Sequence, residues 1–196
     1  VGLSAHAHAE STLGDIANQV IPGAGAVLDN GANDAINDAF VQTATPVLQE
    51  LITRSRDDAL RAGVHPSPPE MRRQLAGFIP DGIMNAARYR VESGGDMTLQ
   101  AGAIQYGDAR AITLDDVIVF KNQGDVLSSP TLWVHELTHV SQYRQWGVRG
   151  FARRYLQNYQ AVEQEAYGAA DRYVDWLRQK NRRNAGDWHL EQTAPQ

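Results

Sequence analysis

Apolar positions along the chain change period twice, and the changes divide it into helical and extended blocks. Between Asp34 and Leu60, Ile36, Phe40, Val47, Leu48, Leu51, Ile52 and Leu60 recur mainly at steps of three and four, which predicts an amphipathic helix. Thr45-Pro46 is expected to split it in two, because proline removes an amide donor and crowds the turn before it. The three prolines and one glycine of Gly63 to Pro69 mark a boundary. Pro69 to Phe78 then reads as a short helix, and Pro80 can open another. In Arg88–Glu92 the period falls to two, with Tyr89 and Val91 alternating with arginines. Val117–Phe120 is a compact apolar run, and Ala109–Leu114 is expected to pair with it through the Asp115-Asp116 turn. Pro130 to about Arg183 reads as helix, broken near Gly147–Gly150 and again around Asn158.

The fold class that follows is α+β and mainly helical, with a short β-sheet ahead of the long helical block. Residues 1–62 are expected to form an N-terminal helical extension with a flexible leader, residues 69–183 the main domain, and residues 184–196 a tail. A length of 196 residues suits one domain. Charged residues at 21% and hydrophobic residues at 42% exclude wholesale disorder. No stretch approaches the run of about 20 apolar residues of an integral membrane segment. With 18 Lys+Arg against 23 Asp+Glu, the chain lacks the basic surplus of a nucleic-acid binder. Ala5-His6-Ala7 and Ala7-His8-Ala9, near an initial Val1, have the small-x-small pattern of a signal-peptidase site, so a secreted or periplasmic location is expected. Gly23-Ala24-Gly25 lacks the strand before it and the lysine after it that a phosphate loop needs.

Cysteine is absent, so any metal must be held by imidazoles and carboxylates. That narrows attention to His135-Glu136-Leu137-Thr138-His139. With six histidines in the chain, an HExxH pattern arises by chance in only about 1% of shuffles. Residues four apart on a helix lie about 40° apart around its axis, so both imidazoles project toward one ion. Glu136 falls beside them, where a carboxylate can deprotonate a metal-activated water. Trp133, Leu137 and Val140 occupy the opposite side and can pack into a core. A third ligand at the metzincin offsets is excluded, because positions 142 and 145 are Gln142 and Gln145. The remaining candidates are Glu163 and Glu165, on a helix whose apolar stripe is Val162, Ala166, Ala169, Tyr173 and Leu177. The two acids point about 200° apart, so one alone can face the metal. Both flank the stripe, and Glu165, a little nearer its centre, is favoured over Glu163.

These residues also carry a family resemblance. The segment Ala111-Ile112-Thr113-Leu114-Asp115-Asp116-Val117-Ile118-Val119-Phe120, then Leu132 to Gln142 around the HExxH motif, then Glu163-Gln164-Glu165-Ala166 with Ala170-Asp171, resembles the eCIS core domain. That zinc metallopeptidase-type domain occurs in many bacterial proteins associated with extracellular contractile injection systems. The resemblance runs from about Ile83 to Tyr173. It implies a minimal zincin of gluzincin-like type in which His135 and His139 bind Zn2+, Glu136 is the catalytic base and Glu165 is the third ligand. The implied activity is hydrolysis of a peptide or protein substrate by an exported or injected effector, with a secretion or injection apparatus as partner. The alternative is a zinc-stabilised binding or scaffold module with weak or no activity. Tyr143 stands where many members have a second glutamine, on the histidine side of the helix, and is expected to line the cleft. Tyr143, Tyr155, Tyr159, Tyr167 and His189 are the candidate donors to a reaction oxyanion.

Overall fold

The helical and extended blocks meet face to face in the computed structural model, which describes residues 34–92 and 110–191, with side chains for 38–92 and 110–183. The leader with His6 and His8, the Gly23–Gly25 stretch, Ala109 and the side chain of His189 lie outside these residues. In chain order the elements are α1 (Asp34–Ala62), β1 (His65–Pro66), α2 (Pro69–Leu75), α3 (Asp81–Ala86), β2 (Arg88–Val91), β3 (Ala111–Leu114), β4 (Val117–Phe120), α4 (Gln123–Ser128) and α5 (Pro130–Glu191). The expected mainly helical α+β class is therefore the observed one. Among the described residues no helix is long and apolar enough to cross a membrane.

The four strands form one sheet in the order β1-β2-β4-β3. β3 and β4 are an antiparallel hairpin with Leu114 opposite Val117, closed by the two-residue Asp115-Asp116 turn. Asp115 takes a left-handed conformation with φ 59°, as the first position of such a tight turn requires. β2 lies parallel to β4 on the other side, and β1 antiparallel to β2.

Both faces of β3 and β4 are covered, which is why each reads as a continuous apolar run. Ile112, Leu114, Val117 and Val119 meet Val41, Ala44, Leu48, Ile52 and Ala59 of α1. On the other face, Ala111, Ile118 and Phe120 meet Met71, Leu75 and Met84 together with Trp133, Val134, Leu137 and Val140 of α5. Thr113, paired with Ile118, points to that second face. The helix assigned from sequence to an N-terminal extension thus packs into the same core as the hairpin.

Pro46 does not split α1, contrary to the expectation from sequence. Buried residues stand on both sides of it, Val41 and Ala44 before and Leu48 and Ile52 after. Burying side chains of this kind contributes about 1.5–3 kcal/mol for each of the larger ones, enough to offset the roughly 3 kcal/mol that an interior proline costs. Val47, Leu60 and Leu177, counted in the helical stripes, lie at their exposed margins. Arg56 ties α1 to the hairpin, with Nε 2.6 Å from Asp116 Oδ1 and 3.4 Å from Asp115 Oδ2.

α5 is interrupted at the two places the sequence marks. Gly147 has φ 68° and ψ 165°, and Asn158 has φ −162° and ψ 80°. The Asn158 side chain accepts a hydrogen bond from the Ala161 amide at 3.0 Å and so caps a new helical start. The segment after Asn158 returns past the segment that holds the HExxH motif.

Candidate metal centre

The motif segment is anchored by its apolar side. Trp133, Leu137 and Val140 are buried, as their spacing predicts, and Trp133 Nε1 donates to the Val126 carbonyl at 2.9 Å. This leaves His135 and His139 on the side that faces the segment after Asn158. Ala166 and Ala169 are buried along that contact, where a larger side chain would hold the backbones apart.

The two imidazoles converge, with His135 Nε2 3.1 Å from His139 Nε2. Glu163 completes the group: its Oε2 lies 3.2 Å from His135 Nε2 and 3.4 Å from His139 Nε2. Among the described residues, these three side chains make a cluster able to hold a metal ion. Ligand atoms bound at about 2.0–2.1 Å around a tetrahedral zinc stand about 3.3 Å apart, so the observed triangle fits one face of such a tetrahedron. The donor set of two imidazoles and one carboxylate is also one that zinc accepts.

The structure brings Glu163 to the histidines and not Glu165, reversing the preference drawn from the sequence. Both acids flank the apolar stripe, but Glu165 sits on the side of Gln142, whose Nε2 donates to Glu165 Oε2 at 2.9 Å. Which flank meets the histidines depends on how the segment is turned after the break at Asn158. Distance from the stripe's centre does not report that rotation.

Electrostatics in the cluster are those of an ion pair. Burial by itself would lower the His139 pKa, yet the Glu163 carboxylate, assisted by Glu136 and Gln142, outweighs it and pushes the value up to about 9. Burial would likewise raise the Glu163 pKa, but His139 and His135 hold that carboxyl well below the usual carboxylate range. Tyr155 donates its hydroxyl to Glu163 Oε1 at 3.2 Å, leaving Oε2 for the imidazoles. Burial, reinforced by Glu163, raises the Tyr155 pKa well above its ordinary value, so it stays a donor.

Glu136 lies beside the cluster and is only 4% exposed. Thr113 on β3 donates its hydroxyl to Glu136 Oε2 at 2.6 Å. The edge strand of the sheet thereby orients the motif's carboxylate.

The candidate oxyanion donors separate on their surroundings. Tyr143 does not line a cleft: it is 1% exposed, its ring stacks on Phe151 at 3.8 Å, and its hydroxyl reaches the Thr113 carbonyl at 3.4 Å. Residue 143 lies about 40° from His139 around the helix and so shares its side, but Phe151 packs over the ring and shuts it into the core. Tyr155 is engaged with Glu163, and Tyr159 packs against the core that holds α1. Tyr167 is the tyrosine over a candidate ligand, with its ring centroid 4.6 Å from that of His135.

Three residues that shape the site carry no such role in the sequence reading: Thr113, Gln142 and Tyr155. Gln142 has a legible signal, since it stands three residues after His139 on the same helical face. Thr113 and Tyr155 reach the site through the tertiary fold, and no local spacing reveals them.

Residues 66–147 match the eCIS core domain. The matched stretch begins in β1, includes the hairpin with Thr113, and continues through His135, Glu136, His139 and Gln142. It covers less than half of the chain and ends before Glu163, so the eCIS core match spans two of the three members of the metal-capable cluster. No curated protein and no solved structure matches the chain.

Proposed function

We propose that the chain is a zinc-dependent peptidase of the eCIS core type, with His135, His139 and Glu163 as ligands and Glu136 as general base. The observation that carries this reading is the triangle of His135 Nε2, His139 Nε2 and Glu163 Oε2, with edges of 3.1–3.4 Å, beside a glutamate one residue after the first histidine. Zinc bound there supplies Lewis acidity, polarising a peptide carbonyl and making a water acidic enough to lose its proton near neutral pH.

The protein's own groups do the rest. Glu136 takes a proton from the attacking water and passes it to the departing amine. Thr113 holds Glu136 Oε2, which leaves Oε1 as the proton-accepting oxygen. Gln142 and Tyr155 hold His139 and Glu163 in place, and the buried surroundings strengthen each of these contacts. The eCIS core match supports a protein that works with an injection apparatus.

One observation favours a second reading, a metal-stabilised scaffold of weak or no activity. Glu136 is almost fully buried and satisfied by Thr113, as a structural glutamate would be. Glu136→Gln separates the two. In metal analysis joined to a peptide-cleavage assay, the peptidase reading expects the variant to keep zinc and lose about 10²–10⁴-fold in kcat. Equally weak cleavage by both zinc-bound proteins, or none by either, favours the scaffold.

A further inference from the structure

We infer that Gln142 is the positioning residue of the metal centre, a single buried amide that fixes the tautomer of His139 and also docks the segment that presents Glu163. This rests on the metal reading above. The side chain is 1% exposed and makes three hydrogen bonds to three different groups. Its Nε2 donates to the Val162 carbonyl at 3.1 Å and to Glu165 Oε2 at 2.9 Å. Both partners are oxygen acceptors, so the amide nitrogen has to face them and the amide oxygen has to face His139.

That orientation decides the state of the imidazole. Gln142 Oε1 lies 2.8 Å from His139 Nδ1 and can only accept, so Nδ1 carries the hydrogen. A neutral His139 then presents the lone pair of Nε2, the nitrogen that faces His135 and Glu163. The same amide also sets the rotation of the segment after Asn158. By drawing Glu165 and the Val162 carbonyl to its own side, it turns the opposite flank, where Glu163 stands about 200° round the axis, toward the imidazoles. Any other rotation would leave a buried amide without acceptors, which costs about 1–3 kcal/mol. Gln142 therefore couples two ligands that belong to separate helical segments.

The test compares zinc affinity, measured by competition with a chromophoric chelator, in the full chain and its variants. Long-range 15N–1H correlation spectra of the metal-free proteins, recorded at a pH where the imidazole is neutral, report which nitrogen of His139 carries hydrogen. Gln142→Leu is expected to weaken zinc binding about 10–100-fold and to change the His139 pattern. The exchange Q142E with E165Q keeps an acceptor on His139 Nδ1–H and restores a hydrogen bond between positions 142 and 165 with its direction reversed, but it loses the donor to the Val162 carbonyl. It is expected to bind zinc better than Gln142→Leu but more weakly than the wild type, with the original tautomer.

A folded Gln142→Leu protein that binds zinc as well as the wild type with an unchanged His139 pattern would overturn the inference. So would an exchange variant no better than Gln142→Leu. Should Gln142→Leu fail to fold, Glu165→Leu, at an exposed position, removes one docking contact and leaves His139 held. A loss of about 3–10-fold supports the docking half of the inference, and no loss overturns it. A wild-type chain that takes up no zinc fails before any variant is compared, and that result removes the metal reading itself.

Discussion

The two walls of the candidate metal centre present their clustered side chains by different physics. On the motif segment, His135 and His139 are brought together by helical spacing alone, and the apolar side of the same helix fixes where they point. On the opposite wall, Glu163 and Glu165 are equivalent by local rules. Their roles are divided by a chain break at Asn158 and by hydrogen bonds from Gln142 and Tyr155. The first wall is determined by its own sequence and the second by its surroundings. Variants of the second wall should therefore differ sharply from one another even when they are chemically identical.

The largest expected effect breaks that equivalence directly. Glu163→Gln should weaken zinc binding by at least about 100-fold, since it removes a proposed ligand, whereas Glu165→Gln should stay within about threefold because its amide oxygen still accepts from Gln142. Chelator competition on the two variants checks this. Equal losses would mean that the walls are not divided as described.

The next effect is on pH. Without metal, His139 has a pKa of about 9 against an ordinary 6.5, so its stabilising contact with Glu163 is fully present below about pH 6.5 and is lost as pH rises through 9. Glu163 has a depressed pKa, so its contribution is present above the ordinary carboxylate range and fades only in strong acid. The thermal midpoint of the metal-free protein should accordingly fall between pH 7 and about 9.5. Zinc binding at the proposed site would displace the His139 proton, so apparent zinc affinity should rise about tenfold per pH unit up to about pH 9. Opposite slopes for metal-free stability and zinc affinity are the signature. Parallel slopes would contradict the ion-pair description.

Smaller effects sharpen the picture of the second wall. Tyr155→Phe removes the hydroxyl on Glu163 Oε1 while keeping the ring in the core, and should cost about 3–10-fold in zinc affinity. Asn158→Ala removes the cap on the Ala161 amide and should cost about 1 kcal/mol in chemical denaturation. A cap variant that loses zinc affinity without losing stability would show the break to be a direct part of the centre.

The same contrast explains what was legible in the sequence. The hairpin register, the two breaks in α5 and the buried side of the motif segment all follow from turn chemistry and periodicity, and each was readable from residues such as Asp115, Gly147, Asn158 and Trp133. Pro46 misleads because tertiary burial on both sides of it outweighs a local rule. Tyr143 misleads for a related reason: sharing a side with the histidines does not place it in a cleft when Phe151 closes over it. The choice between Glu163 and Glu165, and the supporting roles of Thr113 and Tyr155, depend on how separate segments dock. No single-helix pattern encodes that.

The most direct measurement is a zinc-soaked crystal with anomalous data collected at the zinc absorption edge. One ion is expected within about 2.0–2.2 Å of His135 Nε2, His139 Nε2 and a Glu163 carboxylate oxygen, with Glu165 still held by Gln142. An ion on Glu165 in place of Glu163, or no anomalous peak between the two histidines, would contradict it.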